Sequence, residues 1–321
     1  MQFKSVTYTG LQPGIRLIVL GAVHGNETCG TQAIRSVIQE FENGQRSMVS
    51  GTVTFVPITN PLAYANNQRA GDRNLNRNLN PSPKPQNFED HVANWLCPLL
   101  AQHDVLLDLH SFHTPGHPFA LIGPLNNTGA LEPFSFADQE EALALRLGVG
   151  LFVDGWLNTY ARGVTNRIAN KSAYPEHSKS QNLDMKYGVG TTEYMRSQGG
   201  WGITLECGQH DDANAAQVAY QAICNTLAYL ALVDAPQPQK TNDYQNLRII
   251  EVIDKINDDD QFTQAWKNFD KFKAGDVIGV RHNGDKVIAE FDAIILFPNP
   301  AALAGNEWFY LAKLVHRFKG D

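Results

Sequence analysis

Two polar clusters in the sequence carry residue types that bind metal ions. His24 and Glu27 lie three residues apart on a short turn, and His110 follows far along the chain. Two imidazoles and one carboxylate are the ligand set of a catalytic zinc ion, with one coordination position left for water. Asp108 could orient His110 through the ring nitrogen that does not bind metal. Since HxxE also occurs by chance, the alternative is a pair of histidines in unrelated loops.

A third cluster could supply a proton-transfer group. Glu206 directly follows the apolar segment Ile203–Leu205. A charge at the end of an apolar strand needs a partner. Beside a metal-activated water, its carboxylate would take the proton as water attacks and pass it to the leaving group. The alternative is a salt-bridged glutamate at the surface end of a strand.

An arginine-rich loop indicates an anionic ligand. The segment Arg69–Asn78 holds three arginines and three asparagines in ten residues, without helical or strand periodicity. Arginine forks bind carboxylates through paired hydrogen bonds and also stabilise oxyanions. In an otherwise acidic chain this concentration favours an anionic substrate. A solvated loop with scattered basic side chains is the alternative.

Buried strands should position these clusters. Short apolar runs that predict strands are Ile15–Gly21, Thr52–Ile58, Val105–Leu109, Pro118–Ile122 and Ile203–Leu205. After the predicted strand Ile15–Gly21, the apolar residues repeat with helical periodicity from Thr28 towards Gly44. This alternation predicts an α/β fold with a mostly parallel mixed sheet and helices on both faces. Ligands bind such sheets at the carboxyl ends of the strands, where the three clusters fall.

The organisation changes after a proline-rich linker, residues 235–239. Short strands follow closely, with a hairpin signal at His282–Asp285 between two of them. We therefore expect a catalytic domain over residues 1–236 and a small all-β domain over residues 240–321.

Composition excludes several classes of protein. Of 321 residues 43% are hydrophobic, enough for a large core, and the net charge is −7. An acidic chain without a Lys/Arg run lacks the electrostatic signature of nucleic-acid binding. No apolar run approaches the roughly 20 residues that span a bilayer. Four cysteines without a C-x-x-C pair and a polar N-terminal segment predict a cytoplasmic protein with free thiols.

Taken in order, four motifs make the sequence similar to a known family. His24-Gly25-Asn26-Glu27, Leu75-Asn76-Arg77, Asp108-Leu109-His110 and Leu205-Glu206 resemble the succinylglutamate desuccinylase/aspartoacylase family, a branch of the zinc carboxypeptidase superfamily. The resemblance extends over the whole chain, because that family also has a C-terminal β domain.

The resemblance implies a role for each matching residue. His24, Glu27 and His110 would bind zinc, and Glu206 would be the general base. Arg69 would polarise the scissile carbonyl. The residues implied to contact substrate are Asn76, Arg77, Arg196 and Tyr310; Arg196 is placed by its spacing from Glu206, and Tyr310 by a short C-terminal segment.

The expected function is therefore zinc-dependent hydrolysis of the amide bond in a small anionic N-acyl amino acid, by an amidohydrolase with one Zn²⁺ per chain. Two alternatives stay open: a metallocarboxypeptidase or amidase acting on a peptide or cell-wall fragment, and a non-catalytic zinc protein that binds metabolites. Neither a nucleic acid nor a membrane is an expected partner, and a homo-oligomer stays open.

Some segments do not follow the family pattern. Asn74 stands where aspartoacylase has an acidic residue, and the stretch Thr114–Lys186 matches no named member. We interpret His113 and His117 as loop residues beside the site and His210 as a residue at the start of a helix.

Overall fold

A computed structural model describes residues 2–169 and 183–318, which form two compact units. The first unit comprises residues 2–113, 118–152 and 189–245. The second comprises residues 114–117, 153–169, 183–188 and 246–318. Residues 170–182, within the stretch that follows no family pattern, lie outside the described residues.

The first unit is built on a mixed sheet. The strands of the N-terminal two-thirds are β1 (Val6–Thr9), β2 (Gln12–Gly21), β3 (Ser50–Val56), β4 (Val105–Phe112), β5 (Phe119–Leu121), β6 (Leu151–Asp154) and β7 (Trp201–Gln209). In this unit the order is β1-β3-β2-β4-β7-β5. The four central strands are parallel, whereas β1 and β5 pair with their neighbours antiparallel. The predicted α/β fold with a mixed, mostly parallel sheet is confirmed.

Helices pack on this sheet. Those of the first unit are α1 (Cys29–Glu42), α2 (Pro61–Ala65), α3 (Phe88–Leu100), α4 (Ala137–Ala144), α6 (Thr191–Ser197) and α7 (Ala215–Tyr229), and α5 (Trp156–Ala169) belongs to the second unit. α3 and α6 share an apolar cluster with Ile18, Leu20 and Leu106 of the strands. α1 and α7 pack against each other, α1 against β2 and α7 against β7. Since alternate strand residues point to opposite faces, β4 can bury apolar residues while it carries Asp108 and His110.

The second unit contains antiparallel strands. They are β8 (Gln245–Asp254), β9 (Gln261–Phe262), β10 (Lys271–Phe272), β11 (Val277–Val280), β12 (Lys286–Ile288), β13 (Ala293–Leu296) and β14 (Glu307–Val315). β8, β14, β13 and β10 are neighbours in that order, and β12, β11 and β9 form a small separate sheet. The predicted hairpin at His282–Asp285 is present, since β11 pairs antiparallel with β12 across it. Trp308 and Phe309 are fully buried in the core of this unit.

The predicted domain limits, 1–236 and 240–321, stay a prediction, because a domain is defined by independent folding, which two compact units do not establish. The second unit also includes α5, from the middle of the chain. Among the helices of the described residues, none has both the length and the apolar composition that crossing a membrane requires.

Candidate active site

Strand register brings the three predicted clusters to one edge of the sheet. The pairing of β2 with β4 places Gly21 beside Leu109, and the pairing of β4 with β7 places His110 beside Glu206. Because these strands are parallel, their carboxyl ends meet at the same edge. The sequence could only place each cluster at the end of its own strand.

The turn between β2 and α1 has a constrained backbone. Ala22 has a φ of 49°, in the left-handed region that a side chain disfavours. A Cβ atom on Gly25 would lie 2.0 Å from the main-chain carbon of Ala63 in α2, so that position requires glycine. The turn is thereby held closely against α2, and it fixes where His24 and Glu27 project.

His24, Glu27 and His110 form a buried group whose ligand atoms all lie within 4.8 Å of one another. Oε1 of Glu27 is 2.9 Å from Nδ1 of His24, and Oε2 is 2.8 Å from Nδ1 of His110. Each of the three side chains is at most 3% exposed. The structure thus brings together the three residues predicted to bind a metal ion.

The chemistry of this group fits a cation. Nδ1 of His24 is buried and makes no hydrogen bond within the described part of the chain, although Glu27 lies next to it. Burial and the nearby charge of Arg69 lower the pKa of His24 to about 4, so the ring is neutral and Nδ1 can present a lone pair. A lone pair that faces a carboxylate oxygen in a buried site is an arrangement that a divalent metal ion would stabilise.

The outer nitrogens of both histidines are held by side chains. Nε2 of His24 lies 3.0 Å from Oδ1 of Asn74, and Nε2 of His110 lies 2.9 Å from Oδ2 of Asp108. If a metal ion is bound at Nδ1, such contacts would keep the remaining ring proton of each histidine on Nε2. The predicted contact of Asp108 with His110 is present. Asn74, identified from the sequence only as a departure from the family pattern, contacts the other histidine, His24.

Arg69 reaches the group of His24, Glu27 and His110, called the candidate metal group below, from a more open position. Its Nη1 donates to Oε1 of Glu27 at 2.9 Å, while the arginine side chain is 53% exposed. Burial alone would raise the pKa of Glu27, but His24 and His110 hold it well below the usual value. Glu27 is therefore ionised, which is the form that binding a metal ion would require.

Glu206 is buried beside this group and keeps one oxygen without a partner. Its Oε2 makes no hydrogen bond to any residue that the structure describes. Burial, and next the charge of Glu27, raise the pKa of Glu206 to about 8. With this pKa the carboxyl group is largely protonated at neutral pH, and a cation bound to the neighbouring His24–Glu27–His110 group would favour the carboxylate form, which can accept and return a proton.

The arginine-rich loop is fixed to the start of α3 by a residue that the sequence did not single out. Glu89 is fully buried and accepts hydrogen bonds from the main-chain N–H groups of Gly71, Asp72 and Arg73 and from the side chain of Asn60. Its position in the first turn of a helix resembles an ordinary favourable dipole contact, so no sequence signal distinguished it.

Asn76 and Arg77 follow the anchored part of this loop. Oδ1 of Asn76 accepts the main-chain N–H of Thr191 at 2.9 Å, and the side-chain amide also carries two N–H donors that could bind a ligand. Nη1 of Arg77 donates to the carbonyl oxygen of Asn76 at 2.9 Å. Both side chains are half-buried, and their predicted contact with substrate stays a proposal.

Arg196 has a different environment from the one predicted. Its guanidinium is buried and donates to Glu132 at 3.0 Å, to both oxygens of Glu140 and to the carbonyl oxygen of Gly202. It also lies over the ring of Phe134. Because its donors are directed at protein acceptors, this placement argues against substrate binding. Spacing from Glu206 alone could not reveal those carboxylates, which come from distant segments.

Tyr310 belongs to the second unit. It lies in β14 between Val252 of β8 and Leu296 of β13, and its ring centroid is 5.3 Å from that of Trp156. Its predicted contact with substrate stays a prediction.

The sequence predicted that His210 lies at the start of a helix, and the structure shows that it does not. It follows β7, five residues before α7, and its Nδ1 is 2.8 Å from Oγ of Ser111, the residue after His110. The carbonyl oxygen of His113 accepts a hydrogen bond from Gln209. The structure therefore adds His210, through Ser111, to the surroundings of the candidate metal group.

A family model matches the part of the chain that carries most of this site. Residues 13–122 match the succinylglutamate desuccinylase/aspartoacylase catalytic domain. The resemblance to this family is confirmed. The match includes His24, Glu27, Arg69, Asn76, Arg77 and His110 and ends before Glu206. No curated protein sequence matches the chain significantly.

Solved structures with this family's fold are similar along nearly the whole chain. A succinylglutamate desuccinylase/aspartoacylase from Rhodobacter sphaeroides has a TM-score of 0.71 at 16% identity and covers 99% of this chain and 90% of its own. The product-bound ectoine utilization protein EutE (DoeB) from Ruegeria pomeroyi has a TM-score of 0.70 at 16% identity, covering 96% and 88%. A succinylglutamate desuccinylase from Vibrio parahaemolyticus has a TM-score of 0.67 at 19% identity, covering 96% and 84%. At these identities the likeness establishes the fold.

Proposed function

We propose that the protein is a zinc-dependent amidohydrolase that removes the acyl group from a small anionic N-acyl amino acid. The observation that carries this proposal is the buried His24–Glu27–His110 group with Glu206 at the same sheet edge. The family match supports a deacylase of the aspartoacylase and desuccinylase type.

The metal would be held by the three side chains of that group, one ion per chain. Zinc bound there would act as a Lewis acid and acidify a water molecule. Asn74 and Asp108 keep the two imidazoles oriented, and Arg69 compensates part of the charge on Glu27.

Glu206 moves the proton in the proposed reaction. Its free carboxylate oxygen accepts a proton from the attacking water as the new C–O bond forms at the acyl carbon. When the C–N bond breaks, Glu206 returns that proton to the departing nitrogen. The products are a carboxylic acid and an amine, which ionise to a carboxylate and an ammonium group, and the glutamate is restored.

The arginine-rich loop binds and orients the substrate. Arg69 has the exposure to donate to the carbonyl oxygen as it gains negative charge, an interaction that typically contributes a few kcal/mol. Asn76 offers its amide N–H groups and Arg77 its guanidinium to a substrate carboxylate. An anionic N-acyl amino acid has both groups, an amide carbonyl oxygen for Arg69 and a carboxylate for Asn76 and Arg77. The cytoplasmic location that the sequence predicts stays a proposal, in keeping with four free cysteines.

The test is amine release by zinc-loaded protein from acetyl, succinyl and formyl derivatives of acidic, neutral and aromatic amino acids. We expect turnover of an anionic subset and a loss of roughly 100-fold or more in kcat for Glu206→Gln, with zinc content unchanged. Glu42→Gln, a change at an exposed position on α1, is the matched control and should leave turnover unaltered.

Three results would contradict parts of the proposal. Hydrolysis of blocked dipeptides alone would indicate the peptidase alternative. Stoichiometric binding of the N-acyl amino acids without turnover would indicate the binding-protein alternative. Full activity in Glu206→Gln would remove the role given to that residue.

A further inference from the structure

Thr191 connects two parts of the site, although no motif includes it. It is the first residue of α6 and is fully buried. Its hydroxyl donates to Oδ2 of Asp108 at 2.5 Å, and its main-chain N–H donates to Oδ1 of Asn76 at 2.9 Å. One residue therefore contacts both the carboxylate behind His110 and the amide of the arginine-rich loop.

The hydroxyl contact matters because Asp108 has few partners. This carboxylate is fully buried, and its Oδ1 makes no hydrogen bond to the residues that the structure describes. Its Oδ2 is shared by Nε2 of His110 and the hydroxyl of Thr191. Without the hydroxyl, His110 would be the remaining side-chain donor to a buried charge, which is costly.

The main-chain contact is independent of the side chain. Gly190, the residue before Thr191, leaves the space for it, since a Cβ atom there would lie 2.1 Å from Oδ1 of Asn76. A substitution at position 191 that keeps the backbone therefore preserves the contact with Asn76 and isolates the effect of the hydroxyl.

We propose that Thr191 is a positioning residue that holds Asp108 and, through it, the orientation of His110 towards the metal. This inference rests on the proposed function only in assuming that the group of His24, Glu27 and His110 binds a metal ion. The hydroxyl restricts Asp108 to the position in which it accepts the Nε2 proton of His110.

The experiment measures zinc affinity by competition with a chelator in the full-length protein. Thr191→Val has nearly the shape of threonine and removes the hydroxyl, and we expect zinc binding about 10-fold weaker. Thr191→Ser restores the hydroxyl and should bind zinc within about 2-fold of the wild type. Thr191→Ala tests the same hydroxyl if the valine variant does not fold.

A matched control separates positioning from stability. Thr226 is also fully buried, and its hydroxyl donates to a carbonyl oxygen within α7. Thr226→Val should lower the melting temperature without changing zinc affinity. If Thr191→Val shows that same pattern, or if the wild type binds no zinc, the inference is overturned. A wild type that binds zinc but deacylates nothing would contradict the proposed function alone, and the affinity comparison would still decide the role of Thr191.

Discussion

Oδ1 of Asn74 accepts a hydrogen bond from Nε2 of His24 at 3.0 Å and, at 2.9 Å, another from the main-chain N–H of Asn76. A single amide oxygen thus orients a proposed metal ligand and fixes the start of the proposed substrate-binding segment. The imidazoles of His24 and His110 have different acceptors: His24 contacts the amide oxygen of Asn74, and His110 contacts the carboxylate of Asp108.

Removing this acceptor should weaken metal binding. In Asn74→Leu the Nε2 proton of His24 loses its partner, and we expect zinc affinity to fall by roughly 10- to 100-fold. Asn74→Asp keeps an acceptor and should bind zinc at least as tightly as the wild type. Chelator competition measures both, and equal affinity of Asn74→Leu and the wild type would contradict the role of Asn74.

Glu89 should control both stability and substrate affinity. Glu89→Ala leaves four donors without their acceptor, and we expect a loss of about 3 kcal/mol or more in the free energy of unfolding. Because the loop that carries Asn76 and Arg77 is released, KM should also rise. Urea unfolding and steady-state kinetics test this, with Glu42→Gln as the exposed control. An unchanged KM in the folded variant would show that the loop is held by other contacts.

Arg196 and Arg77 should respond to substitution in opposite ways. Arg196→Ala leaves Glu132, Glu140 and Glu193 without their shared cation, and we expect a loss of roughly 3–5 kcal/mol in stability with little change in KM. Arg77→Ala should raise KM with a much smaller change in stability. Denaturation midpoints and KM values of both variants decide this, and a raised KM for folded Arg196→Ala would restore its predicted contact with substrate.

The carboxylates around Arg196 should make stability depend on pH. Burial, together with Glu193 and Glu140, raises the pKa of Glu132 to about 7 against the lowering effect of Arg196. Between about pH 4.5 and 7 the folded protein therefore binds more protons at Glu132 than the unfolded chain, and this contribution to stability falls as pH rises.

Glu132→Gln removes that titration. We expect the wild type to lose on the order of 2 kcal/mol more than the variant between pH 5 and pH 8, measured by urea unfolding at each pH. Parallel stability curves for the two proteins would contradict the raised pKa.

Local patterns predicted the elements around the site. The apolar runs before His24, His110 and Glu206 became the parallel strands β2, β4 and β7. Such runs are local consequences of burying a strand on both faces, so they are readable from one sequence.

Apart from the contact of Asp108 with His110, the partners of individual side chains were not readable. Glu89 and Thr191 have no unusual spacing, and their roles depend on segments that meet them only after folding. Arg196 was placed by its spacing from Glu206, and that spacing could not predict the buried ion cluster in which its guanidinium lies. Its contact with substrate stays a prediction.

The sequence by itself determined the residue types of the candidate metal group, the strands that carry them and the family they resemble. Tertiary structure decided which donors and acceptors remain available, since the pairing of β2, β4 and β7 brings distant residues to one edge. Most buried polar groups find a partner there, whereas Nδ1 of His24 and Oε2 of Glu206 make no hydrogen bond within the described residues. Hydrogen-bond partners are a property of three-dimensional proximity, which no local periodicity encodes.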